Sequence, residues 1–367
     1  MKKIFIAISI AVTMILSSIG VQAVENQSYK GIKNYQSLYK NCNFYDVKNH
    51  WAGKSIYKMS ILSVIRGEGN NKFYPDRNIT KEEALSLLVR LGGLEGEAQK
   101  LGENQNDWSQ GYIKLAQSKN IIGKEDVKNI NELSEREKEK IEENIMKKID
   151  AYAKNDNITE EELENIEKRL REDLEKDYTW RGYATREEIA IWVANLIRLE
   201  PIRGQKQQLI YTLKDYKDIK VEDVPIIESV LQKGFMKGND KGYFNPKKTI
   251  TRAEMAVVLD NISEKIFKDR GYKLESGFVE NVEKYVTPEK DNVSMEIEGV
   301  GNYIITLRDE EDQYIKINSK QSSEGDTSGG FIVYKEGHIG YPSMIKENDY
   351  INCWINPKNE VIYTEID

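Results

Sequence analysis

A short phrase that is typical of a helix start occurs three times along this chain, and it constrains the fold more than any other feature. Each copy is a threonine, a basic residue, one variable residue and a glutamate. The threonine can cap a helix, and the glutamate three positions later can close a capping box. The six capping residues are Thr80, Glu83, Thr185, Glu188, Thr251 and Glu254.

The segments around the first and third copies form an internal repeat. Without gaps, a shift of 171 positions superimposes three pairs of residues: Gly67 on Gly238, Phe73 on Phe244 and Pro75 on Pro246. Several matches at one fixed offset are the signature of repeated structural units. Each unit is predicted to be a helix, a loop and a second helix, with aliphatic residues at helical spacing. One unit is too small to bury its own apolar faces, so the units are expected to pack together.

The repeat divides this part of the chain into units at residues 41–98, 99–200 and 201–267. The second unit carries a highly charged insertion at about residues 124–178. Two apolar stripes in it predict an antiparallel helical hairpin. They are Ile141, Ile145, Ile149 and Tyr152, then Leu163, Ile166, Leu170 and Leu174. Solvated helix faces explain the charge of the hairpin, and a protein-binding arm is the alternative.

The last part of the chain has a different pattern. Residues 291–367 alternate apolar and polar side chains as β-strands do, for example around Ile305. They predict a small all-β domain that forms a partly closed barrel, because closure hides strand edges. Residues 268–290 are expected to be a linker and residues 24–40 a flexible lead. The predicted fold class is therefore α+β, with helical repeats followed by a barrel-like domain.

The N-terminus indicates export. Lys2 and Lys3 precede an apolar run and small residues follow it, so residues 1–23 are predicted to be a signal peptide cut after Ala23. No later apolar stretch approaches 18 residues, so no membrane span is expected. The protein is therefore expected to be secreted and held at the cell wall or cell surface by something other than a membrane helix.

Composition narrows the possible functions. The net charge is −7 and no basic stripe appears, so nucleic acid is not an expected partner. The chain has two histidines and two cysteines without metal-binding spacing, so neither a metal nor another cofactor is expected. Cys42 and Cys353 could pair, but two free thiols are the favoured interpretation.

The three units resemble S-layer homology repeats. The resemblance is carried by Phe44–Asp46, His50–Ala52, Ile65–Gly67, Phe73–Pro75, Ile79–Ala84 and Ile250–Glu254. Members of this family pack three repeats as a pseudo-threefold helical prism with grooves between its prongs. The resemblance implies a surface protein of a Gram-positive, clostridial-type bacterium. It also implies non-covalent binding of a secondary cell-wall polysaccharide, often through acidic pyruvylated sugars.

The residues and the resemblance together indicate candidate binding groups. A basic side chain in the first helical turn does little for the helix, so Lys81, Arg186 and Arg252 could join unpaired helix amides in an anion site. Trp51 and Trp108 could stack on a sugar ring, although partial burial in the core is the favoured interpretation. The candidate polysaccharide-binding residues are Lys81, Arg186, Arg252, Trp51, Trp108, Asp46, Gly67 and Gly238.

Departures from the family pattern predict three unequal grooves. Lys81 lacks the fork with which arginine binds a carboxylate. The second unit lacks the proline, and the third lacks the tryptophan. Gly67 and Gly238 either let the backbone approach a ligand or end a helix in the left-handed conformation.

We expect a non-catalytic anchoring protein. A wall-associated glycan hydrolase is one alternative, since carboxylates fill residues 309–312, but nothing apolar surrounds these acids to shift a pKa. The other alternative is a surface-layer adaptor that binds other surface proteins through the hairpin or the β domain.

Overall fold

A computed structural model describes residues 27–103, 107–123, 135–153, 158–177, 180–285, 302–319 and 329–367. Several predictions lie outside these residues. They are the signal peptide at 1–23, parts of the charged insertion at 124–134 and 154–157, and the start of the predicted β domain up to residue 301.

The described part of the chain begins with one strand, continues with the α-helices and ends with the other strands. The α-helices are α1 (Tyr35–Cys42), α2 (Gly53–Ile61), α3 (Lys81–Leu91), α4 (Glu95–Gly102), α5 (Gln110–Ser118), α6 (Glu135–Ala153), α7 (Glu160–Asp177), α8 (Arg186–Leu196), α9 (Val224–Gln232) and α10 (Arg252–Asp269). The strands are β1 (Gln27–Gly31), β2 (Lys273–Tyr285), β3 (Asn302–Arg308), β4 (Tyr314–Ser319), β5 (Ile332–Lys335), β6 (His338–Gly340), β7 (Tyr350–Ile355) and β8 (Glu360–Ile366).

The three units meet around a common centre, where a closed ring of backbone hydrogen bonds joins them. The Ile79 amide donates to the Ile250 carbonyl, the Ile250 amide to the Ala184 carbonyl and the Ala184 amide to the Ile79 carbonyl, each at 3.0 Å. All three residues are fully buried. Because each unit supplies one donor and one acceptor, no unit can complete these hydrogen bonds alone.

Each unit also packs its first helix on the second helix of the preceding unit. Helix α2 packs on α10, α5 on α3 and α9 on α8. The first helices bury Ile56, Ile113 and Ile227 in one shared hydrophobic core. The core is therefore built between units, as expected for repeats too small to fold singly.

The first helices end in the left-handed conformation, but not at the predicted glycine. The residues with positive φ are Ser63 at 64°, Asn120 at 57° and Gly234 at 71°. The prediction that Gly67 ends the helix in this way is wrong. A Cβ at Gly67 would collide with the Phe44 ring and lie 2.8 Å from the Lys72 carbonyl oxygen, so close packing, not chain reversal, requires glycine there.

The sheet closes into a six-stranded barrel. Its strand order is β1-β4-β3-β2-β7-β8, with β8 pairing back to β1, and the β5–β6 hairpin continues from β8. Residues predicted to alternate do so, since Ile305 and Leu307 on β3 and Ile351 and Cys353 on β7 all lie in the barrel core. Closure leaves few free strand edges, which is the physical advantage of a barrel over an open sheet.

Two predicted boundaries of the β domain are wrong. Residues 27–31 of the supposed flexible lead form β1, which lies between β4 and β8 and runs parallel to both, and α1 occupies Tyr35–Cys42. The supposed linker contains the end of α10 and nearly all its remaining described residues form β2. The β1 segment looks polar in the sequence because only its Tyr29 and Gly31 are buried.

The barrel is docked on the helical units. The Trp354 ring on β7 meets Phe267 on α10 edge to face, with ring centroids 5.6 Å apart. Lys58 on α2 lies 4.8 Å above the Trp354 ring and pairs with Asp260 at 2.8 Å. The described helical units and barrel therefore share a packed, charged interface.

The charged insertion contains α6 and α7, which pack on each other. Their contact is apolar and is formed by Ile141, Ile145, Ile149, Leu163, Ile166 and Leu170. Arg171 near the end of α7 pairs with Glu142 near the start of α6, as antiparallel helices require. Tyr152, which the stripe includes, is 45% exposed.

The two cysteines are separate buried thiols in the structure. Burial raises the pKa of both Cys42 and Cys353 to about 12, so neither is reactive near neutral pH. Among the described helices, none is both long and apolar enough to cross a membrane.

Candidate functional site

Each of the three helix starts contains a complete capping box. The amides of Glu83, Glu188 and Glu254 donate to the hydroxyl oxygens of the threonines three residues earlier, at 3.3, 3.3 and 3.1 Å. The glutamate carboxylates accept from the threonine amides at 3.0, 2.8 and 2.9 Å. The repeated phrase therefore fixes where α3, α8 and α10 begin.

The first two helical amides of each start are already paired, which contradicts the expectation of unpaired amides in an anion site. In α8 the Arg186 amide donates to the Lys248 carbonyl and the Glu187 amide to the Pro246 carbonyl, both at 3.0 Å. The corresponding amides of α3 and α10 donate to loop carbonyls of another unit in the same way. The units use these amides to join one another, so a ligand would have to be bound by side chains.

The basic residue of each phrase reaches into the next unit. Arg186 donates from Nε to the Phe244 carbonyl at 2.8 Å and from Nη2 to the Lys237 carbonyl at 2.9 Å. Arg252 repeats this arrangement, donating to the carbonyls of Phe73 at 2.9 Å and Arg66 at 2.8 Å. These two carbonyls lie 171 positions before the two that Arg186 uses. The two guanidinium groups are therefore held by the same bonds.

Lys81, the third basic residue, makes a different contact. Its ammonium lies 2.9 Å from the Glu188 carboxylate of the second unit, and its side chain is 12% exposed. The lysine is thus neutralised by the glutamate that caps α8.

The Arg252 site, defined by Arg252, Glu68, Arg77 and Glu83, is a closed network of charges. Arg252 lies 3.4 Å from Glu68, and Arg77 pairs with both Glu68 and Glu83. Arg252 is 6% exposed, and burial lowers its pKa. Because this buried guanidinium already has a carboxylate partner, the main role of Arg252 is to stabilise the structure.

Arg186 differs because it has no such partner. Among the described residues no carboxylate forms an ion pair with it, although burial lowers its pKa and Glu254 and Asp215 act on it from a distance. It is only partly buried. Two of the five N–H donors of its guanidinium are used by the carbonyls, so the others can bind a ligand.

A groove of about 610 Å³ opens beside this guanidinium. We call it the Arg186 groove. Its lining residues include Trp51, Arg186, Lys237, Gly238, Asn239, Tyr243, Lys248 and Glu254. The structure thus brings Trp51, Arg186 and Gly238, which the sequence proposed separately, to one place on three different units.

Both candidate tryptophans are on the surface. Trp51 is 66% exposed and Trp108 is 54% exposed, so the interpretation that they belong partly to the core is wrong. Each precedes the first helix of its unit by two positions or less. Trp51 precedes α2, which packs on α10, and Trp108 precedes α5, which packs on α3. By this equivalence of the units, Trp108 corresponds to the Arg252 site as Trp51 corresponds to the Arg186 groove.

Asp46 supports a loop. Its carboxylate accepts from the amides of Phe73 at 2.9 Å and Tyr74 at 2.7 Å. Asp215, which the sequence reasoning missed, accepts in the same way from Phe244 at 2.9 Å and Asn245 at 2.6 Å. The fixed shift of 171 positions hides this match, because it places Lys217 opposite Asp46 and Asp215 lies two residues earlier.

Comparisons with known proteins agree with this geometry. Residues 43–85 and 213–256 match the S-layer homology domain, and these segments contain Asp46 and Asp215, respectively. The middle unit is outside the matched residues.

Three relatives carry informative names. The chain is 31% identical over 77 residues to the middle cell wall protein of Brevibacillus brevis and 30% identical over 76 residues to the surface layer protein of Brevibacillus choshinensis, each covering 19% of this chain and 7% of the relative. It is 23% identical over 234 residues, 62% of this chain, to exoglucanase XynX of Acetivibrio thermocellus. That match covers 17% of the relative, so the chain spans less than a fifth of any of the three. The matches indicate a cell-surface or cell-wall location and an anchoring role.

Proposed function

We propose that this protein is a non-catalytic anchor that binds an anionic secondary cell-wall polysaccharide non-covalently. In this proposal the middle unit is a third S-layer homology repeat, the three units form the pseudo-threefold prism of that family, and a signal peptide at residues 1–23 exports the chain. The β barrel and the hairpin take no part in catalysis.

The observation that carries the proposal is the Arg186 groove. It combines an arginine that pairs with no carboxylate of the described residues, an exposed tryptophan ring and a glycine without a side chain to fill the groove. A guanidinium can hold a carboxylate by two parallel hydrogen bonds. An exposed indole offers a flat apolar face for a sugar ring. The groove therefore suits a sugar that carries a carboxylate, such as a pyruvylated one.

Neighbouring polar groups suit the rest of such a ligand. Lys248 pairs weakly with Glu254, at 3.4 Å, and its side chain is 57% exposed. Its ammonium can therefore turn toward an anionic ligand. The Glu254 carboxylate and the Asn239 side-chain NH2 group, which also line the groove, offer an acceptor and a donor for sugar hydroxyl groups.

Sedimentation with purified cell-wall sacculi tests the proposal. The full mature chain is expected to pellet with intact sacculi and to stay in solution once the non-peptidoglycan polymer has been stripped from them. Arg186→Ala should weaken retention about tenfold or more, because it removes a charge-assisted hydrogen-bond donor.

Arg203→Ala is the matched control, since Arg203 is an exposed arginine outside the groove. It should pellet as the unmodified protein does. Equal retention of the Arg186→Ala variant, or equal binding to stripped sacculi, would contradict the proposal.

A further inference from the structure

Position 68 in the first unit and position 239 in the third have the same backbone environment. The Glu68 amide donates to the Lys72 carbonyl at 2.9 Å, and the Asn239 amide donates to the Tyr243 carbonyl at 2.8 Å. Both pairs are separated by the repeat distance of 171 positions. The two positions therefore make the same backbone hydrogen bond with different side chains, although the loops that follow differ in conformation, with positive φ at Gly69, Asn70 and Asn71 in one and at Gly242 in the other.

These side chains point to different partners. The Glu68 carboxylate lies 3.4 Å from Arg252 and pairs with Arg77 as well. The Asn239 side-chain oxygen instead accepts from the amides of Lys241 and Tyr243, both at 3.0 Å. The Asn239 side chain is thus bonded within its own loop, and Arg186 forms no ion pair with a carboxylate among the residues that the structure describes.

We propose that Glu68 is an internal substitute for a ligand carboxylate and keeps the Arg252 site closed. This inference rests on the proposed function, because it assumes that an acidic glycan binds at Arg186. A carboxylate from outside could reach Arg252 only by displacing Glu68 from two guanidinium groups. The chain accordingly binds the polymer through the Arg186 groove and not through the Arg252 site.

The Arg252 site otherwise retains the parts of a binding site. Its guanidinium is held on the Phe73 and Arg66 carbonyls just as Arg186 is held on its own pair. Arg77 adds a second cation, and Trp108 is exposed in the second unit as Trp51 is in the first. Removing one carboxylate should therefore open a second site of the same chemical class.

Exchange of the two loop residues tests this inference. The probe is the wall polymer released from sacculi by muramidase digestion at neutral pH, titrated calorimetrically into the full mature chain. Asn239→Glu should weaken binding about tenfold, since it supplies Arg186 with an internal carboxylate. In the Arg186→Ala background, Glu68→Asn should restore about tenfold of the lost affinity by opening the Arg252 site.

Chemical labelling gives a second readout that needs no polymer. The arginine reagent phenylglyoxal, followed by mass spectrometry, should modify Arg186 but not Arg252 in the unmodified protein. Both arginines should be modified in Glu68→Asn and in the more conservative Glu68→Gln. Circular dichroism melting should show that each variant is folded.

The outcomes separate this inference from the proposed function. If the unmodified protein does not bind the polymer, the proposed function fails. If it binds and Arg186→Ala does not, yet folded Glu68→Asn restores nothing and leaves Arg252 unlabelled, the inference about Glu68 is overturned while the proposed function stands. Equal binding by the unmodified protein and by Asn239→Glu would overturn it as well.

Discussion

The Arg186 groove and the Arg252 site begin from nearly the same sequence and end with different electrostatics. In both, an arginine at the start of a helix donates to two carbonyls of the next unit at 2.8 to 2.9 Å. In one, the neighbouring loop leaves the guanidinium open. In the other, Glu68 neutralises it. The comparison teaches that this arginine serves first to join two units, and that the facing loop decides whether it can also bind a ligand.

The helix start explains why such a double role is possible. A cation gains nothing from the positive end of the helix dipole, so its energy must come from other contacts. The loop carbonyls of the next unit provide them, and a carboxylate can add to them. Lys81 makes the second kind of contact, to Glu188.

The largest expected difference between the two arginines is in stability. Arg252→Ala removes one member of a buried ion pair, leaves two carbonyls without their donor and takes from Glu68 one of its two cationic partners, so it should lower the free energy of unfolding by about 3–5 kcal/mol. Arg186→Ala removes two hydrogen bonds at a partly buried position and should cost about 1–2 kcal/mol. Urea denaturation of both variants measures the difference, and equal losses would show that Arg186 is as structural as Arg252.

The loop aspartates should behave alike, because they support equivalent loops. Asp46→Ala and Asp215→Ala each leave two backbone amides without an acceptor, and each should destabilise the protein by about 2 kcal/mol. Asp218→Ala is the matched control, and at this exposed position it should change stability by less than about 0.5 kcal/mol. Thermal denaturation distinguishes these cases. A large effect of Asp218→Ala would show that support of this loop does not depend on Asp215 alone.

The two tryptophans should differ in binding and not in stability. Trp51→Ala should weaken sedimentation with sacculi by about 1 kcal/mol, or about fivefold, through loss of a stacking face. Trp108→Ala should leave it unchanged, because the site on its side is closed by Glu68. If Trp108→Ala had the larger effect, the assignment of the open groove would be reversed.

The smallest expected effect is on the acid side of the stability profile. Burial acts to raise the pKa of Glu83, but hydrogen bonds from Arg77 and the Thr80 amide outweigh it and hold this pKa below its ordinary value. A carboxyl whose pKa is lowered by folding stabilises the protein above its unfolded-state pKa, and this stabilisation is lost as the pH falls through its folded-state pKa. Glu83→Gln should therefore flatten the loss of stability on acidification, measured by urea denaturation between neutral and acidic pH. If the stability of Glu83→Gln fell with pH in parallel with that of the unmodified protein, the Glu83 carboxyl would not contribute to the acid dependence of stability.

Much of the local structure was predictable from the sequence. The capping boxes depend on residues three positions apart, and the first helices depend on apolar spacing, so both are encoded within a few residues. The alternation at Ile305 and Ile351 likewise predicted strands. The N-terminal strand β1 was not predictable, because five residues with a single large buried side chain, Tyr29, carry almost no periodic signal.

The candidate site was predictable in part. The sequence identified Arg186, Trp51 and Gly238 as candidates on three units, and the structure places them around one groove. The sequence also suggested that the sites are unequal, but because of Lys81, the missing proline of the second unit and the missing tryptophan of the third. The contribution of Glu68 was missed, since a glutamate in a polar loop carries no signal of its partner.

The sequence by itself therefore determined where the helices start, that the units repeat and that a separate β region follows. Only the tertiary structure decided that the helix amides are used between units, that β1 closes a barrel built mostly from the other end of the chain, and that Arg186 is open while Arg252 is closed. The physical reason is distance along the chain. Capping and periodicity act over a few residues, whereas the pairing of a charge depends on which loop another unit places beside it.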